Sequence, residues 1–213
     1  MRATRRRARA FGARLAFGAL LALASAPLAG ARAADVGDVA PDCALVAIAP
    51  DAGGVAGAGG VAGAAGAAGV ADAATGELRL SDLRGRVVWV DFWASWCPAC
   101  AEAFPLLDSF QRAHRDRGLV VLGIGLDERL ELALRFAAAH PVSFALARDA
   151  EGDACARAFD LVGMPESYVI DRAGVVRAVH RGFRPDEMRA SLALVEALLR
   201  DDAAPRRDGG VAP

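Results

Sequence analysis

The sequence predicts an α/β fold in which a central mixed β-sheet carries helices on both faces. Apolar runs rich in β-branched residues alternate with segments whose apolar residues recur at helical spacing. Two further strand-like runs flank the tripeptide RAG at 172–174, which is typical of a β-hairpin turn. The predicted order is therefore β-α-β-α-β-α-β-β-α, preceded by one or more N-terminal strands, and this order favours a mixed sheet between layers of helices.

The individual elements follow from local patterns. Residues 87–92 are apolar except for Asp91, as expected of a central strand that is buried on both faces. The last helix begins with Pro185, because proline is favoured at the first helical position. Strands are predicted at 43–49, 87–92, 119–126, 143–147, 167–171 and 175–180. Helices are predicted at 98–117, 130–139, 153–159 and 185–199.

Residues 1–33 have the layout of a secretory signal peptide. A basic stretch ends at Arg14, an apolar run covers 15–28, and small residues flank Arg32. The apolar run is shorter than the roughly 20 residues that a membrane-spanning helix needs. We predict cleavage near Ala33 and export to the periplasm, with an uncleaved membrane anchor as the alternative. Export would place the cysteines in an oxidising compartment.

The rest of the chain divides by composition. Residues 34–50 form a lead-in with one strand, and 51–75 are so rich in alanine and glycine that we predict a flexible insertion. Residues 76–200, together with the lead-in, have the pattern of one folded domain of ordinary size. The polar tail at 201–213 is predicted to be disordered.

Charge and composition exclude several functions. All 25 basic residues are arginine, so neither a P-loop, which requires lysine, nor Schiff-base lysine chemistry is available. Residues 1–33 hold seven of these arginines and no acid, which leaves 18 arginines against 26 acids and a net charge of −8 in the remainder. A domain with that charge is not expected to bind nucleic acid.

Residues 96–100 (WCPAC) place two cysteines where a buried strand passes into a helix. Cys97 is expected in the first turn, where unpaired backbone N–H groups and the helix dipole stabilise a thiolate. Cys100 follows three residues later on the same helix face, so the two sulfurs can form a disulfide. We expect Cys97 to be the exposed attacking thiol and Cys100 to be the more buried resolving thiol.

The alternative for a Cys-x-x-Cys pair is a structural zinc site, which needs two more ligands. The only other cysteines are Cys43 and Cys155, there is no second Cys-x-x-Cys, and the three histidines are scattered. We therefore expect neither a metal nor another cofactor. Cys43 and Cys155 can then form a second disulfide if their Cα atoms lie within about 7 Å, and two separate buried thiols are the alternative.

Three segments together carry a family resemblance. They are 80–85 (LSDLRG), 90–97 (VDFWASWC) and 163–171 (GMPESYVID). The chain resembles the TlpA/ResA/DsbE-like branch of exported thioredoxin-fold thiol-disulfide oxidoreductases over roughly residues 36–200, apart from the insertion. The resemblance implies a thioredoxin-like fold.

The resemblance also implies roles for residues at matching positions. Pro165 matches a cis-proline that lies beside the disulfide and presents backbone to a substrate strand. Glu166 matches an acid that follows this proline in some relatives. Trp96 and Met164 complete the expected substrate-binding set with Pro165 and Glu166.

Asp91 matches a buried acid below the cysteine pair. Burial without a partner would raise the pKa of this carboxyl group, which would suit it to take the proton from Cys100. The alternative is an aspartate at the end of a strand that is hydrogen-bonded to backbone.

Two departures from the family pattern affect the chemistry. Many relatives carry a glutamate three residues after the second cysteine, where this chain has Ala103, and Glu102 lies roughly 100° around the helix from that position. Between the cysteines, Pro98 comes first and Ala99 second. Because Ala99 offers neither charge nor a hydrogen bond to a Cys97 thiolate, the motif favours a reductant over an oxidant.

The leading hypothesis is an exported oxidoreductase that reduces client-protein disulfides through Cys97 and Cys100. The resemblance implies clients such as apocytochromes c or copper-site proteins, and a membrane electron donor of the DsbD/CcdA type. One alternative is a peroxiredoxin-like peroxidase, but the proline and the threonine or serine that such enzymes require are replaced by Val90 and Ala94. The other alternative is a module that binds clients without turnover.

Overall fold

The computed structural model describes residues 34–48, 77–149 and 152–201. The predicted signal peptide at 1–33, the insertion at 51–75 and the tail beyond Asp201 lie outside the described residues and remain predictions. Within the described ranges, no helix has both the length and the apolar character needed to cross a membrane.

Seven strands form one mixed sheet in the order β2-β1-β5-β4-β3-β6-β7. Strands β3, β4 and β5 are parallel, whereas β6 and β7 on one side and β1 and β2 on the other add antiparallel pairs. The strands are β1 (Ala44–Ala47), β2 (Glu77–Arg79), β3 (Val87–Trp93), β4 (Leu119–Gly125), β5 (Ala145–Asp149), β6 (Glu166–Ile170) and β7 (Val176–Arg181). The predicted mixed sheet is confirmed.

Four helices cover the two faces of this sheet. They are α1 (Pro98–His114), α2 (Leu130–Ala139), α3 (Ala154–Phe159) and α4 (Pro185–Asp201). Buried side chains of α1, α2 and α4 pack in one hydrophobic cluster with both cysteines of the WCPAC motif, and we call this side of the sheet the cysteine face. Helix α3 and a 3-10 turn at Leu80–Leu83 pack against the opposite face.

Strand β3 lies in the interior of the sheet and is buried on both faces, which explains its apolar sequence. Side chains alternate between faces along a strand. Trp89 and Trp93 belong to the cluster on the cysteine face, whereas Val90 and Phe92 belong to the opposite cluster. Asp91 alternates with Val90 and Phe92, so its carboxyl group lies on the cysteine face.

Two element boundaries differ from the predictions for identifiable reasons. Strand β5 begins at Ala145 and not at 143, because Ser143 donates its backbone N–H (2.5 Å) and its hydroxyl (2.6 Å) to Asp108 of α1. Helix α1 ends at His114, and a 3-10 turn follows before Gly118 adopts a left-handed conformation with φ 93°. Strand β2 has only three residues, too few to show a period in the sequence.

Cys43 and Cys155 are joined by a disulfide with a Cα–Cα distance of 5.3 Å. The bond connects the residue before β1 to α3, across 112 positions of sequence. Cys43 is 5% exposed and Cys155 is 1% exposed. The disulfide therefore attaches the start of β1 to the helix that precedes the loop of Pro165.

Replacing both Cys43 and Cys155 with serine should lower the free energy of unfolding. Because the bond closes a loop of 112 residues, the chain-entropy relation gives a loss of about 5 kcal/mol as an upper limit. Urea unfolding of the oxidised proteins measures the loss. The Cys97→Ser/Cys100→Ser variant is the matched control, since a three-residue loop predicts only about 2 kcal/mol. Equal stability of wild type and Cys43→Ser/Cys155→Ser would contradict this prediction.

Candidate active site

The cysteine pair lies where β3 passes into α1. Cys97 is the residue that caps the start of α1, and Pro98 occupies the first helical position, where its missing N–H costs nothing. The backbone N–H of Cys100 points at Cys97 Sγ at 3.1 Å. The two cysteines form a disulfide with a Cα–Cα distance of 5.4 Å. The sulfur of Cys97 therefore occupies the position in which a helix start stabilises negative charge.

The exposure of the pair corrects one expectation. Cys100 is fully buried, as predicted, but Cys97 is only 4% exposed, so the expected exposure of Cys97 is wrong in this oxidised state. Trp96 is 66% exposed and is the large apolar side chain on the surface next to Cys97. Trp96 therefore offers exposed apolar surface next to Cys97 in the sequence.

The loop between β3 and α1 is held by Asp127, a residue that the sequence analysis missed. The Asp127 carboxylate accepts the backbone N–H of Ser95 at 2.9 Å and its hydroxyl at 2.6 Å. Asp127 follows β4, and Leu126 donates its N–H to Trp93 O at 2.9 Å. Since β3 and β4 are parallel, their carboxyl ends meet at one edge of the sheet. The sequence signal that could have identified Asp127 is a polar residue directly after the strand adjacent to β3.

Trp93 fixes the end of β3 against β4. Its indole lies so close to β4 that a Cβ at Gly123 would meet Trp93 Nε1 at 3.1 Å and Leu146 at 2.7 Å. The ring stacks on Phe136 at 5.0 Å and meets Phe104 edge-on at 5.5 Å. This packing leaves the base of the cysteine loop little freedom to move.

Asp91 is completely buried on the cysteine face. Ser167 donates its hydroxyl to Asp91 Oδ1 at 2.6 Å, and within the described part of the chain Oδ2 has no hydrogen-bond partner. Burial raises the pKa of the carboxyl group to about 7, although the hydrogen bond from Ser167 opposes this rise. The bond comes from a side chain, so the alternative of an aspartate held by backbone does not describe this residue.

Pro165 directly precedes β6, the strand that pairs with β3, and its bond to Met164 is cis. Pro165 is buried and its carbonyl accepts the N–H of Gly182 at 2.8 Å, which attaches the start of β6 to the end of β7. Met164 is half-buried and packs against the cluster that contains Cys97 and Cys100. Met164 packs against the cluster on the opposite face as well, so it lies between the two.

Glu166 is placed differently from the other predicted site residues. Its side chain lies on the face opposite the cysteines, fully buried, and accepts the hydroxyl of Tyr168 at 2.7 Å and the N–H of Val162 at 3.1 Å. Arg181 forms an ion pair with the carboxylate, with Nε 3.3 Å from Oε1. Glu166 therefore holds the loop that leads to Pro165, and the loop exposes Val162, which is 69% exposed.

The site holds no arrangement typical of a metal centre. Within the residues described, no three side chains of histidine, cysteine, aspartate or glutamate converge on one point. The chemistry that the geometry offers is that of a cysteine pair with a buried acid on the same face. A mixed sheet, a cysteine pair at the start of a helix and a cis-proline before the adjacent strand together define the class: a thioredoxin-like protein with a redox-type disulfide.

Solved structures agree with this class. A Chlorobium tepidum protein assigned as a thiol:disulfide interchange protein DsbE aligns with a TM-score of 0.62 and 34% identity, over 78% of this chain and 98% of that chain. The thioredoxin domain of a Bacteroides vulgatus thiol-disulfide oxidoreductase aligns with a TM-score of 0.58 over 75% of this chain and 96% of that chain. At 20% identity, the second match shows the fold alone.

A family model described as Redoxin matches residues 35–197, and the chain belongs to the Redoxin family. It is 27% identical over 106 residues to the thiol-disulfide oxidoreductase ResA of Geobacillus kaustophilus. The aligned region covers 50% of this chain and 60% of that protein. The chain thus spans about 60% of the length of this curated relative. The resemblance and the thioredoxin-like fold stated from the sequence are confirmed.

The buried acid predicts a characteristic pH dependence of stability. Below its ordinary pKa of 3.8, Asp91 is protonated in both the folded and the unfolded chain. Between 3.8 and about 7 only the unfolded chain ionises, so the free energy of unfolding falls as the pH rises, and the loss is complete above about 7. Asp91→Asn removes this loss, which at one pKa unit per 1.36 kcal/mol is at most about 4 kcal/mol.

Urea unfolding of wild type and Asp91→Asn on both sides of this pH range measures the difference. Asp42→Asn is the control, because the contribution of Asp42 to the free energy of unfolding should change with pH in the opposite direction. Burial raises the pKa of Asp42, but hydrogen bonds from Ser81 and Arg79 outweigh it and hold the pKa below 3.8, so Asp42 stabilises the fold most at higher pH. A stability gain of Asp91→Asn that does not change with pH would contradict the prediction.

Proposed function

We propose that the protein is an exported thiol-disulfide oxidoreductase that reduces disulfides in client proteins. The observation that carries this proposal is the position of Cys97 Sγ at the start of α1, 3.1 Å from the N–H of Cys100. A thiolate in this position is stabilised without a charged neighbour. The similarity to a protein named as a thiol-disulfide oxidoreductase supports the same activity.

In the first step, the thiolate of reduced Cys97 attacks one sulfur of a client disulfide. A bond forms between Cys97 Sγ and that sulfur, and the second client sulfur leaves as a thiolate that takes a proton from water. Exposed Trp96 and half-buried Met164 offer apolar surface to the client around Cys97. The backbone beside Pro165 would hold the client strand.

In the second step, Cys100 gives its proton to Asp91 and attacks Cys97 Sγ. The disulfide between Cys97 and Cys100 forms, the bond to the client breaks, and the second client thiolate leaves, so two electrons pass from the protein to the client. Asp91 suits this step because a carboxyl group with a pKa near 7 can accept a proton at neutral pH. Ala103 is fully buried and Glu102 is exposed, so neither supplies a second base facing Cys100.

The oxidised protein must be reduced again before another cycle. In an oxidising compartment, a membrane electron donor of the DsbD/CcdA type would supply the two electrons. Apocytochromes c and copper-site proteins are the proposed clients. The signal-peptide layout of residues 1–33 supports an exported, periplasmic location, with a membrane anchor as the alternative.

Peroxidase activity has less support from the geometry. Val90 lies on the face opposite the cysteines, and Ala94 offers no hydroxyl group to a peroxide three residues before Cys97. A module that binds clients without turnover would not need a cysteine pair at a helix start. The two alternatives therefore lack an observation in their favour.

The proposed activity predicts distinct defects for the two cysteines in an insulin-reduction assay. Cys97→Ser should lose essentially all activity, because the attacking sulfur is gone. Cys100→Ser should still attack but should accumulate a mixed disulfide, which gel electrophoresis without reductant detects as an adduct. The Cys43→Ser/Cys155→Ser variant controls for a general effect of cysteine loss and should remain active. Equal insulin reduction by wild type and Cys97→Ser would overturn the proposed function.

The proposed role as a reductant predicts a low reduction potential for the Cys97–Cys100 couple, measured relative to glutathione. Because Ala99 adds no stabilisation to the Cys97 thiolate, we expect a potential nearer to about −270 mV, as in thioredoxin, than to about −120 mV, as in DsbA. Ala99→His should make the couple more oxidising, whereas Ala99→Gln, which adds volume without a positive charge, should change it less. Equilibration with glutathione and alkylation of free thiols measures all three potentials. A wild-type value near that of DsbA would recast the protein as a disulfide donor.

A further inference from the structure

Ser167 is the one side chain that hydrogen-bonds to Asp91 within the described residues, and it lies two positions after Pro165. Strands β3 and β6 are antiparallel, and Asp91 and Ser167 are directly opposite in their register, so both side chains lie on the cysteine face. Ser167 is only 3% exposed, and its hydroxyl hydrogen is committed to Asp91 Oδ1 at 2.6 Å. A hydrogen bond to a buried carboxylate is among the stronger kinds in proteins.

The surroundings of Asp91 contain few groups that could take over this role. Along β3 it lies between Trp89 and Trp93, whose indole nitrogens have no hydrogen-bond partner among the described residues. Opposite it on β4 is Gly123, which has no side chain. Cys97 and Cys100, at the start of α1, belong to the same face of the sheet and carry no charge while they are paired.

The charged groups on β7 and α4 are directed elsewhere. His180 is opposite Ser167 in the pairing of β6 with β7, but its Nε2 bonds to Ser191 and its Nδ1 lies 3.9 Å from Glu187. Burial lowers the pKa of His180, so its ring is neutral near pH 7. Glu187 is half-exposed and paired with Arg184 at 2.6 Å. The pKa of Asp91 accordingly responds to burial and to Ser167, and to no charged residue.

We propose that Ser167 is a positioning residue that orients Asp91 and sets how readily this carboxylate accepts the proton of Cys100. The inference rests on the proposed function, because it deepens the role of Asp91 in the second step. The Ser167 hydroxyl stabilises the ionised Asp91 carboxylate by a hydrogen bond, as a positive charge would, without adding a second buried charge. It also places the acid's partner on the strand that begins beside Pro165, where the client would bind.

The test is a matched pair of substitutions at position 167. Thr and Val are nearly equal in volume, and only Thr keeps a hydroxyl group, so Ser167→Thr and Ser167→Val differ in the hydrogen bond and not in packing. Ser167→Ala is a third variant in case the larger side chains prevent folding. Loss of one hydrogen bond to a charged group corresponds to a rise of about one unit in the pKa of Asp91.

Carbon-13 NMR of the Asp91 carboxyl in the oxidised protein measures this pKa without any client. We expect the midpoint to rise by about one pH unit in Ser167→Val and Ser167→Ala, and to return towards the wild-type value in Ser167→Thr. The same shift should appear in the pH profile of mixed-disulfide resolution, so both variants release client more slowly below pH 7. Asp91→Asn should lack this ionisation altogether.

The outcomes separate this inference from the proposed function. An unchanged Asp91 midpoint in Ser167→Val and Ser167→Ala, or an equal rise in Ser167→Thr, would overturn the role of Ser167. A shifted midpoint in the oxidised protein together with an unshifted resolution profile would also overturn it, since the acid would not then limit proton removal from Cys100. Failure of the wild type to reduce insulin would instead count against the proposed function, while the NMR midpoints would still report on Ser167.

Discussion

The hydrogen bond from the Cys100 N–H to Cys97 Sγ is the interaction on which the chemistry of the site depends. It exists because β3 ends where α1 begins, so that a sulfur takes the place of the oxygen that usually caps a helix. Residues around the loop hold it in the position that this hydrogen bond requires. Asp127 holds the loop by two hydrogen bonds to Ser95, and Trp93 fixes the end of β3 against β4. The cap then stabilises a thiolate through oriented backbone dipoles alone.

Asp91, on β3, has the opposite electrostatic environment to Cys97. The start of α1 stabilises a negative charge on Cys97, whereas burial disfavours a negative charge on Asp91. Asp91 lies in a strand that is buried at every position, where an ionised carboxylate is costly, and burial raises the pKa of its carboxyl group to about 7. Strand β6 moderates this cost through Ser167, and the same strand starts directly after the cis-proline. On its other face, Glu166 binds Val162 and Arg181 and so orders the loop before Pro165. One strand therefore connects the backbone beside Pro165, which we propose holds the client, to the hydrogen bond that orients Asp91.

The sequence was informative wherever the signal is local. The apolar run of β3, the helical spacing of α2 and the cysteine motif each occupy neighbouring positions, and the fold class and helix α2 (Leu130–Ala139) were predicted correctly. Features that depend on distant pairs were missed or displaced. The anchoring by Asp127 needs β3 and β4 to be neighbours, and the later start of β5 needs Asp108 of α1 to bind Ser143. A resemblance could mark Glu166 as an acid after the proline, but only the register showed that it faces away from the cysteines.

The two disulfides are distinguished by their neighbours and not by their burial. Cys97, Cys43 and Cys155 are all at most 5% exposed, so access does not separate the redox-type bond from the other. Cys97 lies at the positive end of a helix and receives a backbone N–H, which lowers the cost of a thiolate. Cys155 lies in the first turn of α3, but there its own N–H is donated to the carboxylate of Asp149, so the start of that helix already has an anionic partner. The disulfide between Cys43 and Cys155 closes a long loop, so it lowers the entropy of the unfolded chain and thereby stabilises the folded state. The surroundings of the two disulfides therefore favour exchange at Cys97–Cys100, as the proposed function requires.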